Sequence, residues 1–386
     1  MLRPLENTMG FRMPAATLEA RMTETNNRSS GFDYLRLGLS LAVILWHSYV
    51  LSYGSIAAHQ LSPFFLVPVR TILISFFVLS GFLVAGSLWR CQTLFSFLGL
   101  RVIRIVPALF LEVTISALLL GPVVTTLPLA EYFSSREFHT YFLNIVGAIH
   151  YTLPGVFLSN PFPQTVNGQL WTIPWELECY ISLAILSAVG IVKHRFGFAA
   201  ALLAIQLYFI YQGMQLPDSA ADFVPGKILV MGFLYGVGFN VYRAVIPYSR
   251  GLLVAALVAA IFLLQLQKGA LFAALPLAYI TIYLGLCNPT KGKFIKSGDY
   301  SYGLYLYGFP MQQLVAQLSG NNQNWLKNYL CATAISFVIA YFSWNYVELP
   351  SSKLRSKLLK MEAVYIKWRF QMRKVFLTRQ SNIDPE

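Results

Sequence analysis

The feature that most constrains this chain is a series of apolar segments, each about long enough to cross a lipid bilayer. Hydrophobic residues make up 56% of its 386 residues, and charged residues make up only 12%. A single globular core cannot bury so many apolar side chains, which excludes an ordinary soluble domain. We therefore predict an all-α, polytopic integral membrane protein with about ten transmembrane helices. The segments lie near 34–52, 63–87, 104–122, 173–192, 197–212, 226–242, 251–266, 270–287, 300–318 and 328–347.

Positive charges alternate along this series. Lys and Arg cluster after every second segment, whereas the intervening short loops 53–62, 213–225 and 319–326 have none. Loops rich in Lys and Arg stay on the cytoplasmic side of a membrane. The alternation predicts that both termini are cytoplasmic, which requires an even number of crossings.

The two ends of the chain are polar. Residues 1–31 lack the apolar core of a signal peptide and are expected to form a flexible cytoplasmic tail. Residues 32–352 form the transmembrane domain, and 353–386 form a basic amphipathic tail on the cytoplasmic leaflet. Topology and attraction to anionic lipid account for much of the net charge of +13, so we expect no nucleic-acid partner.

The longest outward connection, 123–172, is rich in aromatic residues and contains His139 and His150. It either lies along the outer interface or re-enters the membrane buried within the protein, and it is the best candidate for an acceptor-binding lid. The four cysteines are scattered singly, which favours neither a disulfide framework nor a metal site. We expect no metal and no permanently bound cofactor.

Arg36 and His47 lie in one apolar run, eleven residues apart. Eleven helical steps of 100° bring the two side chains to within about 20° of each other around the helix. Ionisable groups on one face of a membrane helix are costly to expose to lipid, so this face should line a polar pathway or a reaction chamber. Asp33, one turn before Arg36, is its expected partner.

Several local patterns resemble the membrane acyltransferase-3 family, the O-acyltransferases of bacterial surface and exported polysaccharides. The resemblance covers about residues 32 to 352. It rests on Asp33-x-x-Arg36 with His47, Phe76–Phe82 (FFVLSGF), Arg101–Pro107 (RVIRIVP), Leu170–Glu176 (LWTIPWE) with Tyr180, Tyr300–Leu306 (SYG within YSYGLYL), and Val347–Pro350. One departure is Gly308, which stands where many members carry a histidine. A histidine at this position therefore cannot be required for the chemistry of this chain, and the catalytic role falls more heavily on His47.

The chemistry of acyl transfer suggests roles for these residues. A sugar hydroxyl needs a base as it attacks a thioester, and the imidazole of His47 suits that role. Glu176 is predicted to lie at the same depth and to orient the imidazole; Glu178 ranks lower. The alternative for His47 is a structural histidine bonded to a neighbouring helix. The alternative for Glu176 is a carboxylate that is solvated at the interface or caps its helix.

At the cytoplasmic end of the predicted helices, three guanidinium groups suit the phosphates of acyl-coenzyme A, because a planar guanidinium can donate two parallel hydrogen bonds to a phosphate. These are Arg36, Arg101 and Arg104; the last two otherwise serve as ordinary topology markers. Ser80 either donates to the thioester carbonyl or only packs. Supporting roles fall to the residues Gly81 (close helix packing with Ala85), Trp171 (stacking on a sugar, or an interfacial anchor) and Tyr302 (an interfacial anchor).

These observations predict an inner-membrane enzyme that moves an acyl group, most simply acetyl, from cytoplasmic acyl-coenzyme A to a hydroxyl of a glycan or glycolipid. Direct attack assisted by His47 is simpler than an acyl-enzyme route. Two other classes of function stay open. A transporter or flippase uses the same buried ionisable groups as a relay, and a regulatory or assembly subunit of a polysaccharide machine needs no chemistry of its own. The sequence does not define the oligomeric state.

Overall fold

The computed structural model describes residues 16–59, 63–215, 226–266, 268–320 and 322–381, and in them the chain folds into helices joined by turns and irregular loops. An isolated bridge between Thr17 and Pro247 is the one extended pairing in these ranges. The helices are α1 (Leu18–Glu24), α2 (Gly31–His59), α3 (Pro63–Leu88), α4 (Leu94–Ile115), α5 (Gly121–Val124), α6 (Leu129–Ser134), α7 (Arg136–Tyr141), α8 (Ile173–Ala188), α9 (Arg195–Met214), α10 (Gly226–Val241), α11 (Arg250–Gln265), α12 (Ala270–Gly285), α13 (Lys293–Ser297), α14 (Ser301–Ser319), α15 (Trp325–Ser343), α16 (Leu349–Ser352) and α17 (Leu354–Ser381).

Every predicted apolar segment coincides with a helix, so the prediction of an all-α protein is confirmed over the described residues. Among the described residues, five stretches are long and apolar enough to cross a membrane: 31–56, 67–88, 94–124, 195–214 and 325–369. Helices α10, α11 and α12 are equally apolar but shorter. The total of ten crossings and the cytoplasmic location of the termini stay predictions.

The Lys- and Arg-rich loops meet at one end of the molecule, which we call the basic end. There the Ser29 hydroxyl donates to the carbonyl of Gly285 (2.7 Å), and the N–H of Leu18 donates to the carbonyl of Ile246 (3.0 Å). Residues 16–31, assigned above to a flexible tail, therefore form α1 and a turn fixed by these bonds, with Leu18 fully buried. The folded part begins before residue 32, and residues 1–15 lie outside the described ranges.

Helices α3 and α10 cross with their backbones in direct contact. A Cβ atom added to Gly81 would lie 2.0 Å from the carbonyl oxygen of Phe233, and one added to Gly236 would lie 2.1 Å from that of Val78. Only glycine allows this approach, which replaces lipid contact by dense packing. The side-chain amide of Asn240 joins the two helices by donating to the carbonyl of Phe82 (3.0 Å).

The long connection 123–172 is partly exposed and partly packed into the protein, so both alternatives for its position stay open. Its short helices and turns place Val156, Phe157 and Leu170 in the core. The amide of Asn160 donates to the main-chain carbonyl of Gln313 on α14 (3.0 Å). Because this connection fills the end of the molecule opposite the basic end, α8, which follows it, begins well inside the bundle.

A hydrogen bond from this connection replaces a backbone hydrogen bond that α14 lacks. Pro310 has no N–H, so the carbonyl of Leu306 lacks its usual helical partner. The side-chain amide of Gln169 donates to that carbonyl instead, at 2.6 Å. An unpaired carbonyl is costly where water is absent, and Gln169 therefore stabilises α14 at its proline.

Candidate functional site

A cavity of about 180 Å³ lies between α2, α3, α4, α8 and α14. Most of its remaining wall consists of Leu, Phe, Val and Ile side chains. It brings together side chains from five separate sequence patterns, although they are far apart in the chain. The predicted site residues that line it are Arg36, Ser80, Arg101, Arg104, Glu176 and Tyr302.

Arg36 lies at the start of α2 and is held by carboxylates at the basic end. Its guanidinium is 2.5 Å from Asp33 and 3.3 Å from Asp299. Lys291 approaches the other oxygen of Asp33 at 2.7 Å. The Asp33–Arg36 pair is the one expected from their spacing, and Asp299 adds a second partner from the loop before α14.

Arg104 is the most fully paired of the three arginines. It lies 2.9 Å from Asp299 and 4.0 Å from Glu348, and its guanidinium is 5.6 Å from the centre of the Tyr302 ring. Burial favours the neutral form of Asp299, but Arg104 and Arg36 outweigh it and hold the pKa of Asp299 well below its usual value. Asp299 therefore stays ionised at neutral pH, and its pairs are lost only in strong acid.

Arg101 differs from its neighbour three residues later. It donates to the hydroxyl of Ser87 (2.9 Å) and lies over the rings of Phe97 and Tyr180. It forms no ion pair with any residue that the structure describes, and its Nε atom is buried without a hydrogen-bond partner. Arg101 is thus a cation at the cavity wall with capacity for an anionic ligand.

Glu176 lies on the same cavity wall, in the first turn of α8. It accepts a hydrogen bond from the Tyr180 hydroxyl, and the charges of Arg104 and Arg101 act on it. This position follows from the deep start of α8. The structure thus places Glu176 with the arginines, and the predicted position beside His47 is wrong.

His47 lies away from this cavity. Eleven residues, about 16 Å of helix, separate it from Arg36, and its half-buried ring packs edge-on against Phe309 of α14, with 5.1 Å between ring centres. Within the described ranges the ring makes no hydrogen bond with Glu176. The expected His47–Glu176 pair is therefore not formed, because the two side chains lie at different depths.

Phe309 lies on α14 between the depth of the cavity and the depth of His47. Tyr305, one turn earlier on α14, lines the cavity, and its hydroxyl lies 2.5 Å from that of Thr172. The backbone at Gly168 approaches the Phe309 ring so closely that a Cβ there would lie 2.7 Å from it. Phe309, one turn beyond Tyr305, therefore packs against His47 and against the backbone at Gly168.

The remaining predicted residues have structural positions. Gly81 forms the close crossing with α10, in agreement with the packing role proposed for it. Trp171 is half-buried in the turn before α8, whereas its neighbour Thr172 lines the cavity. A Cβ at Gly308 would lie 2.8 Å from Ile44. A side chain at 308 would therefore require the side chain of Ile44 to shift.

Sequence reasoning missed two acidic residues. Asp299, which immediately precedes the Tyr300–Leu306 pattern, pairs with both Arg36 and Arg104. Glu112 is fully buried in α4, where it accepts from the hydroxyl of Ser116 (3.0 Å) and lies 3.5 Å from the amide of Asn167. A single carboxylate in an apolar run could have identified Glu112 from the sequence. Its hydrogen-bond partners could not have been identified in this way.

Comparison with known proteins agrees with the resemblance described above. The family model of an acyltransferase domain matches residues 29–345. An O-acetyl transferase of Shigella phage Sf6 is 26% identical over 83% of this chain and 96% of its own length. Nodulation protein 10 of Rhizobium leguminosarum bv. viciae is 24% identical over 88% of this chain and 98% of its own length.

No solved structure matches the chain significantly. The family match covers most of the residues, and it includes the motif residues that line the cavity. The enzyme class predicted from the motifs is therefore confirmed: the chain belongs to the acyltransferase-3 family and is a membrane O-acyltransferase.

Proposed function

We propose that this enzyme takes an acetyl group from acetyl-coenzyme A at the basic end, on the cytoplasmic side of the bacterial inner membrane. It then transfers the group to a hydroxyl of a glycan or glycolipid presented at the opposite end. The observation that carries this proposal is the cavity, in which an apolar wall runs from a mouth of arginines towards Thr172 and Tyr305. The relative from phage Sf6, an O-acetyl transferase by name, supports acetyl as the group transferred.

The wall of the cavity suits the two halves of the donor. Phosphate groups at the mouth would bind Arg101, which lacks a carboxylate partner among the described residues, and would share Arg36 and Arg104 with Asp299. The flexible pantetheine arm and the acyl group would lie along the Leu, Phe, Val and Ile side chains. Ser80, within the cavity, has a hydroxyl suited to donate to the thioester carbonyl.

His47 is the general base in this proposal. Its imidazole removes the proton of the acceptor hydroxyl as the oxygen attacks the thioester carbon. A C–O bond forms, the C–S bond breaks, and the proton passes to the departing thiolate. The side chain of Phe309 must move for the thioester and the acceptor to meet, because its ring lies against His47 one turn beyond Tyr305.

Glu176 takes a different role from the one suggested by sequence. Its carboxylate accepts from Tyr180, whose ring lies under the guanidinium of Arg101. We assign Glu176 and Tyr180 the task of orienting Arg101 towards the donor. Substitution of Glu176 should therefore raise the KM for acetyl-coenzyme A more than it lowers kcat.

The test uses the full-length protein in membrane vesicles, with radiolabelled acetyl-coenzyme A and acceptor glycolipid from the native membrane. His47→Ala should lower acetyl transfer at least about a hundredfold at unchanged protein levels. The matched control is His194→Ala, which alters an exposed histidine just before α9. If His47→Ala transferred acetyl groups at the wild-type rate, His47 would not be the general base. If the wild-type protein gave no labelled product, acetyl-coenzyme A would not be the donor.

A further inference from the structure

Helix α17 lies outside the stretch matched by the family model, which ends at residue 345. It is nevertheless fixed to the helix that carries Arg101 and Arg104. The carboxylate of Glu362, 7% exposed, accepts from the N–H of Gln92 (3.1 Å), the N–H of Thr93 (2.6 Å) and the hydroxyl of Thr93 (2.7 Å). These bonds satisfy donors at the start of α4, where a negative charge is favoured by the helix dipole.

The contact continues along both helices. The side chain of Leu358 covers Gly99, where a Cβ would lie only 2.7 Å from a Leu358 methyl group. Residues 355, 358 and 362 recur at helical spacing and share one face of α17. The chain direction is opposite to that of α4, because Glu362 meets Thr93 while Glu348, before α17, lies 4.0 Å from Arg104.

This register places Arg355, one turn before Leu358, beside the segment of α4 that carries Arg101 and Arg104. The positive charges of Arg104 and Arg101 act on its guanidinium, as does the negative charge of Asp299. Arg355 forms no ion pair with the residues that the structure describes, and neither does Arg101. Arg355 is exposed, so its guanidinium can reach an anion that binds Arg101, and the two guanidiniums can then share the negative charge of that anion.

We propose that α17 completes the donor site, with Arg355 and Arg101 together binding phosphate groups of the acyl donor and Glu362 positioning Arg355 by fixing α17 to α4. This inference rests on the proposed function. The same chemistry would also suit the phosphate of an anionic lipid headgroup, and the test separates the two sources.

The experiment measures the KM for acetyl-coenzyme A and kcat in vesicles of phosphatidylcholine, with the full-length protein. Arg355→Ala should raise KM by about tenfold with little change in kcat, because one charge-assisted contact is lost. Arg355→Lys should recover part of the loss. Glu362→Ala should raise KM similarly, whereas Lys360→Ala, on an exposed face of the same helix, should leave it unchanged.

The outcomes are distinguishable. An unchanged KM in Arg355→Ala, alongside an active wild type, overturns this inference and leaves the proposed function intact. Failure of the wild type to use or bind acetyl-coenzyme A overturns both. If the defect of Arg355→Ala appears only when phosphatidylglycerol is added to the vesicles, Arg355 serves lipid binding, and the assignment to the donor is wrong.

Discussion

The two ends of the bundle use polar side chains in different ways. At the basic end, Arg36, Arg104 and Lys291 pair with the carboxylates of Asp33, Asp299 and Glu348. At the opposite end, neutral amides donate to main-chain carbonyls: Asn160 and Asn328 to residues of α14, Gln169 to Leu306, Gln312 to Ile44, and Gln313 to Phe162 and Thr165.

The difference fits the function proposed above. A network of ions can rearrange around an incoming anion, and it leaves Arg101 without a carboxylate partner among the described residues. Amides bonded to the backbone hold irregular chain in place without adding charge. This contrast suits a phosphate-bearing donor at the basic end and an uncharged hydroxyl acceptor at the other.

The largest effect on stability is expected from Arg104→Ala. It leaves Asp299 and the buried Glu348 short of a partner, which should cost about 3–5 kcal/mol of unfolding free energy. Thermal unfolding in detergent would measure this loss. The control is Arg250→Ala, at an exposed position in α11. Equal stability of the two variants would show that the ion network does not hold the basic end together.

Arg101→Ala should separate binding from stability. Because Arg101 has no carboxylate to leave unpaired in the described ranges, the variant should lose much less stability than Arg104→Ala, only that of its contacts with Ser87, Phe97 and Tyr180. Its KM for acetyl-coenzyme A should rise about 10- to 100-fold, which corresponds to about 1.4–2.8 kcal/mol. A stability loss as large as that of Arg104→Ala would remove the distinction between the two arginines.

At the opposite end, Gln169→Leu should cost about 1–3 kcal/mol of unfolding free energy, since the carbonyl of Leu306 would remain buried without a donor. The same thermal measurement applies. Gln215→Leu, at an exposed position after α9, provides the matched control. If both variants unfold alike, Gln169 does not compensate for Pro310.

The smallest effect is expected from Glu112→Gln. The amide keeps an acceptor for Ser116, and no ion pair is lost, so the unfolding free energy should change by less than about 1 kcal/mol. Glu112→Ala should cost more because it removes that acceptor and leaves a cavity. A large loss in Glu112→Gln would show that the region beyond the cavity also depends on charge.

The candidate site was partly predictable. Helical spacing related Arg36 to His47, and the motifs identified Arg101, Arg104 and Glu176. The depth of Glu176 was not predictable, because it depends on how the connection 123–172 folds into the bundle. Spacing along one helix gives relative depth on that helix only. Asp299 was missed for a similar reason, since its partners lie on two other helices.

Sequence by itself determined the apolar helices, the clustering of positive loops at one end and the enzyme family, because these follow from local composition and short motifs. Only the tertiary structure decided which charges meet, that His47 packs against Phe309 and not beside Glu176, and that α17 lies against α4. Such contacts join residues far apart in the chain, and their geometry depends on packing of the whole bundle.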